Sequence, residues 1–244
     1  ANTSRYAFSE ERGRGFWEEI QRVKGSKEHP GDGPRWPLAR LIQLGSSFYK
    51  IEKLTFKRGA SWLKATEGRR AQGWCHVADG NVALTAAMRY FWQEYPRSLS
   101  LDCDKGELTF GLIPSEARPL DLRRYSTIQY GDNLYKYGEH GTRFSNELYG
   151  PVGTAKAHEL MLRFHQPQDT DIAERAVFFT HPCRPTTSPA YFAATRVIGA
   201  VASPTPAVDK NAEATIARIM NFILSEKEYR GWYGLMDYGD VMCA

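Results

Sequence analysis

The chain has 244 residues, of which 42% are hydrophobic and 25% are charged, so it carries enough apolar residues for one large or two medium cores. Its net charge of +4 permits an acidic ligand, whereas the lack of a long basic run or a nucleic-acid motif argues against nucleic acid as a partner. No apolar run approaches the roughly 18 residues that a membrane span needs, which argues against a membrane partner.

The two ends of the chain suggest a piece of a longer protein. The first residues do not form a signal peptide and include no initiator methionine, and the C-terminus has no tail-like sequence. Near the N-terminus, a short helix is predicted over residues 8–24, although Gly13 interrupts it. Ser9 is a suitable N-cap for this helix, and Glu10 and Glu11 would lie in its first turn.

The middle of the chain is predicted to form short antiparallel strands joined by turns. Turn signals stand at residues 78–81 and 104–106. The alternation over residues 82–92 favours a strand, and a helix is the competing interpretation because the stretch is rich in alanine. Predicted strands cover residues 48–57, 70–77, 82–92, 98–103 and 107–113. Regularly spaced strands of this kind are typical of a β-sandwich.

Two stretches follow in which polar and aromatic residues concentrate. Residues 125–153 are rich in tyrosine, and they are predicted to form a shaped surface loop near a binding site. Residues 153–165 are predicted to form a strand of about ten residues. In that strand Lys156 and His158 would share one face about 7 Å apart, and Glu159 would point to the other face.

Beyond residue 169 the spacing of apolar residues becomes helical. Predicted helices run from Asp171 to Phe179, from Pro189 to Val197 and from Asp209 to Arg230. Gly231 then provides a C-terminal stop. The fold class predicted from these elements is α+β, with an antiparallel β-sandwich domain over residues 1–167 and a helical segment over residues 168–244.

The cysteines and carboxylates do not predict a cofactor. The four cysteines show no metal-like spacing, and Cys75 and Cys103 are either a disulfide pair or free buried thiols. A calcium site among Asp237, Asp240 and other carboxylates is an alternative, but no loop motif supports it. We therefore expect no bound cofactor.

Several stretches together resemble the exo-rhamnogalacturonan lyase type of polysaccharide lyase. They are Gly73-Trp74 with Ala78-Asp79-Gly80, residues 88–96 (MRYFWQEYP), residues 112–114 with 119–124, residues 153–159 (GTAKAHE), and Trp232-Tyr233-Gly234 with residues 237–240. The resemblance implies a central β-sandwich followed by the start of an α/α toroid. It also implies N-terminal and C-terminal domains of the same polypeptide as partners, and a secreted enzyme of pectin degradation, although this chain carries no signal peptide.

Cleavage of a uronic-acid chain by β-elimination sets three chemical tasks. The uronate carboxylate must be neutralised, a base must remove the C5 proton, and an acid must protonate the leaving oxygen. His158 is the first candidate for the base, and Lys156 is the candidate for holding the carboxylate. The alternatives are a histidine hydrogen-bonded within the sandwich and a solvated strand lysine.

Further site residues are predicted in the tyrosine-rich loop and near the C-terminus. Tyr238 is the candidate acid. The predicted substrate-binding residues are His140, Arg143, Arg124, Trp232, Asp237 and Asp240. The alternatives are ordinary surface charges in the loop and aromatic residues that pack the wall of the toroid.

The leading functional hypothesis is a lyase that cleaves rhamnogalacturonan-type pectin next to a galacturonate, with an acidic polysaccharide or oligosaccharide as its substrate. Two alternatives remain open at this point. One is a β-sandwich that binds sugars or supports a catalytic domain without catalysing a reaction itself. The other is a glycoside hydrolase of similar architecture, since the separation of paired carboxylates cannot be read from a sequence.

Overall fold

The computed structural model describes residues 5–11, 14–20, 22–23, 33–34, 36–55, 58–119, 155–197, 199 and 210–235. Twelve strands and three helices lie in these residues. The strands are β1 Arg5–Ser9, β2 Gly15–Glu19, β3 Arg22–Val23, β4 Gly33–Pro34, β5 Leu38–Gly45, β6 Phe48–Leu54, β7 Leu63–Gly68, β8 Trp74–Ala78, β9 Ala83–Met88, β10 Arg97–Asp102, β11 Glu107–Gly111 and β12 Leu160–His165. The helices are α1 Ile172–Thr180, α2 Pro189–Thr195 and α3 Lys210–Arg230.

Ten of the strands form two five-stranded antiparallel sheets. Sheet I has the strand order β12-β9-β8-β1-β2, and sheet II has the order β11-β10-β5-β6-β7. The predicted β-sandwich is therefore confirmed. Alternation along each strand sends every second side chain into the space between the sheets, as Tyr6 and Phe8 of β1 do. They pack there with buried residues such as Leu41, Ile51 and Leu99 of sheet II.

The opposite face of sheet I is covered by helix α1. Ile172 and Ala176 of this helix are buried against Ala7, Trp74 and Ala87, whose side chains point out of the sandwich. The first helix therefore packs on the sheet that precedes it. The boundary predicted at residues 167 and 168 stays a prediction.

The predicted helix over residues 8–24 is wrong, because β1 and β2 pair there as an antiparallel hairpin. Ser9 does not cap a helix. Its hydroxyl accepts hydrogen bonds from the backbone N–H groups of Gly73, at 2.8 Å, and Trp74, at 3.0 Å. Pairing with β8 thus replaces the local capping interaction that the sequence suggested.

The hairpins and the longest helix agree with the predictions. Asp79 accepts hydrogen bonds from the N–H groups of Asn81 and Val82 in the turn between β8 and β9. Asp102 does the same for Asp104 and Lys105 between β10 and β11. The strand interpretation of residues 82–92 is confirmed for β9, which ends at Met88, and a helix covers Lys210–Arg230.

Cys75 and Cys103 are free thiols. Burial raises the pKa of Cys75, and burial together with the charge of Asp102 raises the pKa of Cys103 to about 11. Both side chains therefore behave as apolar packing residues of the sandwich.

Candidate active site

The candidate site is built on the turn that follows β9. After Met88 the chain leaves the sheet, with Tyr90 in the left-handed region at φ 55°, and the N–H of Glu94 bonds the carbonyl of Tyr90 at 2.9 Å. Gly73 makes this turn feasible, because its φ is +80° and a Cβ at this position would lie 2.1 Å from the Cβ of Phe91. The turn is therefore pressed against the start of β8.

Glu94, at the end of this turn, is held by two cations. Its Oε1 lies 2.9 Å from the Nζ of Lys156, and its Oε2 accepts a hydrogen bond from the guanidinium of Arg97. The carboxylate side chain is 17% exposed, so it lies at the mouth of the site. Each oxygen thus has its own positively charged partner, which fixes the orientation of the group.

Arg97 lies beneath this carboxylate and is fully buried. Its Nε donates to the backbone carbonyl of Glu94 at 3.1 Å, and one terminal nitrogen donates both to the carboxylate of Glu94 and to Nδ1 of His158, 2.8 Å away. Burial lowers the pKa of Arg97, whereas the charge of Glu94 raises it. A buried guanidinium therefore links two side chains that are far apart in the sequence.

This contact defines the proton position on His158. A guanidinium can only donate, so Nδ1 of His158 accepts, and the single proton of the neutral ring is on Nε2. The pKa of His158 is lowered by burial first and then by the charges of Arg97 and Lys156, against an opposing effect of Glu94. The ring is therefore neutral near pH 7 and presents an N–H at Nε2.

Lys156 and His158 do not lie in a strand, contrary to the predicted extent of that element. Strand β12 begins at Leu160, and residues 155–159 form an irregular approach to it. The two side chains nevertheless converge, because both approach Glu94. Glu159 points elsewhere and pairs with Arg89 at 2.6 Å.

The segment after α3 runs beside the same turn. The N–H of Gly234 donates to the carbonyl of Gln93, and the N–H of Leu235 donates to the carbonyl of Tyr95, each at 2.8 Å. Tyr233 packs against Trp92, with ring centroids 4.8 Å apart. The predicted site residue Trp232 thus belongs to a segment that borders the residues flanking Glu94.

Among the predicted site residues, the structure brings together Lys156 and His158 and places Trp232 in the adjoining segment. The others lie outside the described residues, and their roles stay predictions. They are Tyr238, His140, Arg143, Arg124, Asp237 and Asp240. The tyrosine-rich stretch of residues 125–153 also lies outside the described part of the chain.

Glu94 and Arg97 are the site residues that sequence reasoning missed. Both belong to or adjoin the stretch MRYFWQEYP, which contributes to the family resemblance. The signal available in the sequence was an acidic and a basic residue three positions apart, with Pro96 between them. Their partners Lys156 and His158 lie about sixty residues away, so no spacing along the chain could connect them.

A second histidine cluster lies at the other end of β12. His165 Nδ1 donates to the carbonyl of Gln166 at 3.0 Å, so its Nε2 accepts from the hydroxyl of Thr85 at 2.9 Å when the ring carries one proton. That hydroxyl oxygen accepts in turn from Nδ1 of His76 at 3.1 Å. His76 is fully buried, and its Nε2 has no hydrogen-bond partner among the described residues.

The described part of the chain lacks two further features. It contains no group of three or more His, Cys, Asp or Glu side chains placed to hold a metal ion. None of the helices in these residues is long and apolar enough to cross a membrane.

Comparison with known proteins yields two family matches. Residues 17–176 match the family described as the PcRGLX-like protein central beta sandwich domain, and residues 182–244 match the PcRGLX-like protein C-terminal alpha/alpha toroid domain. A curated relative, the uncharacterized protein YetA of Bacillus subtilis strain 168, is 27% identical over 214 residues. The match covers 85% of this chain and 24% of that relative, so the chain spans about a quarter of the relative's length.

Proposed function

This chain belongs to the family of PcRGLX-like proteins, through matches to the central β-sandwich domain and the C-terminal α/α toroid domain, and from that premise we propose that it is part of a polysaccharide lyase. The substrate would be a rhamnogalacturonan-type chain, cleaved by β-elimination between rhamnose and galacturonate. The enzyme would meet this polymer outside the cell.

The observation that carries the proposal is the convergence of Lys156, Glu94, Arg97 and His158. Lys156 is 21% exposed, so its ammonium can receive the carboxylate of a uronate. A cation at this position stabilises the negative charge that develops when the C5 proton is removed. Arg97 is fully buried and does not reach the substrate, so it acts as a positioning residue beneath Glu94 and His158.

A base must offer a lone pair, and in the free site the Nδ1 lone pair of His158 is occupied by Arg97. Glu94 is the neighbouring side chain that can replace Arg97 at Nδ1. Its Oε2 lies 3.9 Å from Nδ1, about 1 Å farther than a hydrogen bond requires. A uronate that binds Lys156 releases Oε1 of Glu94, so that the carboxylate can approach Nδ1 in place of the Arg97 donor. The ring then gives its Nε2 proton to water and takes a proton from water at Nδ1, where Glu94 accepts a hydrogen bond from it. The number of protons on the ring is unchanged, and the Nε2 lone pair becomes available as the base.

The elimination step then proceeds in the usual electronic sense. Nε2 of His158 takes the C5 proton, the electron pair forms the C4–C5 double bond, and the C4–O bond to the departing sugar breaks. The oxygen of the departing sugar takes a proton from an acid, which is Tyr238 on the sequence prediction. General acid–base groups of this kind each contribute about 10²- to 10⁴-fold to a rate.

A glycoside hydrolase would need two carboxyl groups that flank the bond. Both oxygens of Glu94 are engaged by cations of the cluster, Oε1 by Lys156 and Oε2 by Arg97. Glu159, which follows His158 directly in the chain, is paired with Arg89. This arrangement favours elimination over hydrolysis.

The deciding experiment is incubation of the longest natural polypeptide that carries this sequence with rhamnogalacturonan. A lyase produces an unsaturated uronate, whose conjugated double bond is followed by ultraviolet absorbance and mass spectrometry. New reducing ends without that absorbance would indicate a hydrolase. Sugar binding with neither product would indicate a non-catalytic module, and both of these results would overturn the proposal.

A further inference from the structure

A cleft of about 580 Å³ lies between β12 and α1, apart from the Glu94 cluster. It is of a size that binds small ligands in other proteins. Residues of three kinds line it, namely arginines, acids and apolar side chains. They include Arg89, Arg163, Arg175, Asp171, Phe178 and Phe179.

The polar lining suits a ligand that has both a carboxylate and hydroxyl groups. Arg89 and Arg163 already pair with carboxylates of the protein, Glu159 and Asp169, and they add positive charge to the cleft. Arg175 is the exposed arginine of the set, and its terminal N–H groups can donate to a ligand carboxylate. Asp171 and Glu174 would repel a compact dianion such as phosphate, and Glu174, which is exposed, can accept hydrogen bonds from sugar hydroxyls. Arg175 binds Asp171 through Nε, and its side chain is 60% exposed, so the guanidinium can be approached from solvent.

The apolar lining offers a surface for a sugar ring. Phe178 is 63% exposed although it lies on a helix that packs against a sheet. Phe179 is partly covered by Arg89, whose guanidinium carbon lies 4.8 Å from the ring centroid. An exposed aromatic ring beside guanidinium groups can contact the apolar face of a sugar whose carboxylate is held by the arginines.

The cleft borders the candidate active site through Arg89. This residue pairs with Glu159, which follows His158 directly in the chain. We propose that the cleft between β12 and α1 is a binding subsite for a uronate unit of the same acidic oligosaccharide, distinct from the unit that is cleaved. The inference rests on the proposed function for the class of ligand.

The test measures binding rather than turnover. The probe is a rhamnogalacturonan tetrasaccharide, and the matched ligand is the same tetrasaccharide with its carboxyl groups reduced to alcohols. Titration calorimetry on the natural polypeptide carrying His158→Gln, which removes the proposed base and so prevents cleavage of the probe, is expected to show tighter binding of the carboxylate form. Arg175→Ala is expected to weaken that binding about tenfold, as loss of one charge-assisted contact would, and Phe178→Ala about fivefold.

Helix α3 provides a matched control for each of these two substitutions. Arg230→Ala removes another helical arginine that pairs with a carboxylate four residues earlier, and Phe222→Ala removes a phenylalanine that is 64% exposed. Neither control is expected to change the affinity. Wild-type affinity in both cleft variants, or equal affinity for the reduced ligand, would overturn the inference.

The two proposals can fail separately. Binding that depends on Arg175 and Phe178, without an unsaturated product in the lyase assay, would overturn the proposed activity and support the subsite. Unsaturated product with wild-type affinity in both cleft variants would support the activity and overturn the subsite.

Discussion

Two histidine clusters lie near opposite ends of β12, and they differ in what surrounds the imidazole. His158 is partly exposed and contacts the buried guanidinium of Arg97, with the carboxylate of Glu94 nearby. His76 is fully buried and contacts Thr85, which bridges it to His165. The first histidine is open to a ligand and contacts charged side chains, whereas the second is closed to solvent and bonds a neutral hydroxyl.

This difference separates a histidine suited to chemistry from one suited to packing. Burial, assisted by His165 and Arg5, lowers the pKa of His76 to about 4. The ring lies 5.5 Å from that of Trp17 and 5.4 Å from that of His165, so it is enclosed by aromatic neighbours. A depressed pKa alone therefore does not identify a catalytic histidine, and access to solvent and to charged partners must accompany it.

The largest expected effect concerns turnover. His158→Gln in the natural polypeptide is expected to lower the rate of unsaturated-product formation about 10²- to 10⁴-fold, because the base is lost. Circular dichroism and thermal melting should remain close to those of the wild type. His181→Gln changes an exposed histidine outside the site and serves as the control. Near-wild-type turnover in His158→Gln would remove this residue from the mechanism.

The next effect concerns stability. Arg97→Met is expected to lower the free energy of unfolding by about 3–5 kcal/mol, because a partly buried carboxylate loses its buried partner. Lys105→Met removes a cation that pairs with Asp102 at the same spacing of three residues but is 67% exposed, so about 0.5 kcal/mol is expected. Urea unfolding measures both values. Equal losses would mean that the burial of Arg97 carries no special stabilisation.

The third prediction tests the buried histidine by pH. The folded-state pKa of His76 is about 4, below its ordinary value of 6.5, so the unfolded chain binds the extra proton first. The contribution of this group to the free energy of unfolding is complete above pH 6.5. It is lost as the pH falls from 6.5 to about 4, by about 3 kcal/mol at most. His76→Asn, which keeps a donor toward Thr85, is expected to remove this part of the pH dependence. An unchanged dependence would contradict the assignment.

The smallest effect is a displacement of a pH profile. The negative charge of Glu94 raises the pKa of His158, while Arg97 and Lys156 lower it. Glu94→Gln is therefore expected to move the acidic limb of kcat/KM to lower pH, since the base stays neutral in more acidic solution. Glu107→Gln, which changes an exposed acid on β11, is the charge-matched control. A limb that moves to higher pH would refute this coupling.

The sequence alone was sufficient for the elements with strong local patterns. The hairpin between β10 and β11 follows from alternating leucines around Asp104-Lys105-Gly106, and α3 follows from its helical apolar spacing and the glycine after it. The prediction over residues 8–24 failed for a reason that is not local. The hydroxyl of Ser9 serves the backbone of Gly73 and Trp74 in another strand.

What the amino-acid order determined was the β-sandwich followed by helices, the resemblance to polysaccharide lyases, and the choice of Lys156 and His158 as candidates. Periodicity and turn chemistry act over a few residues, so they can be read along the chain. Only the tertiary structure decided that Glu94 and Arg97 join them, because sheet pairing and the turn after β9 bring distant residues together. The proton position on His158 follows from that contact, since a guanidinium can only donate.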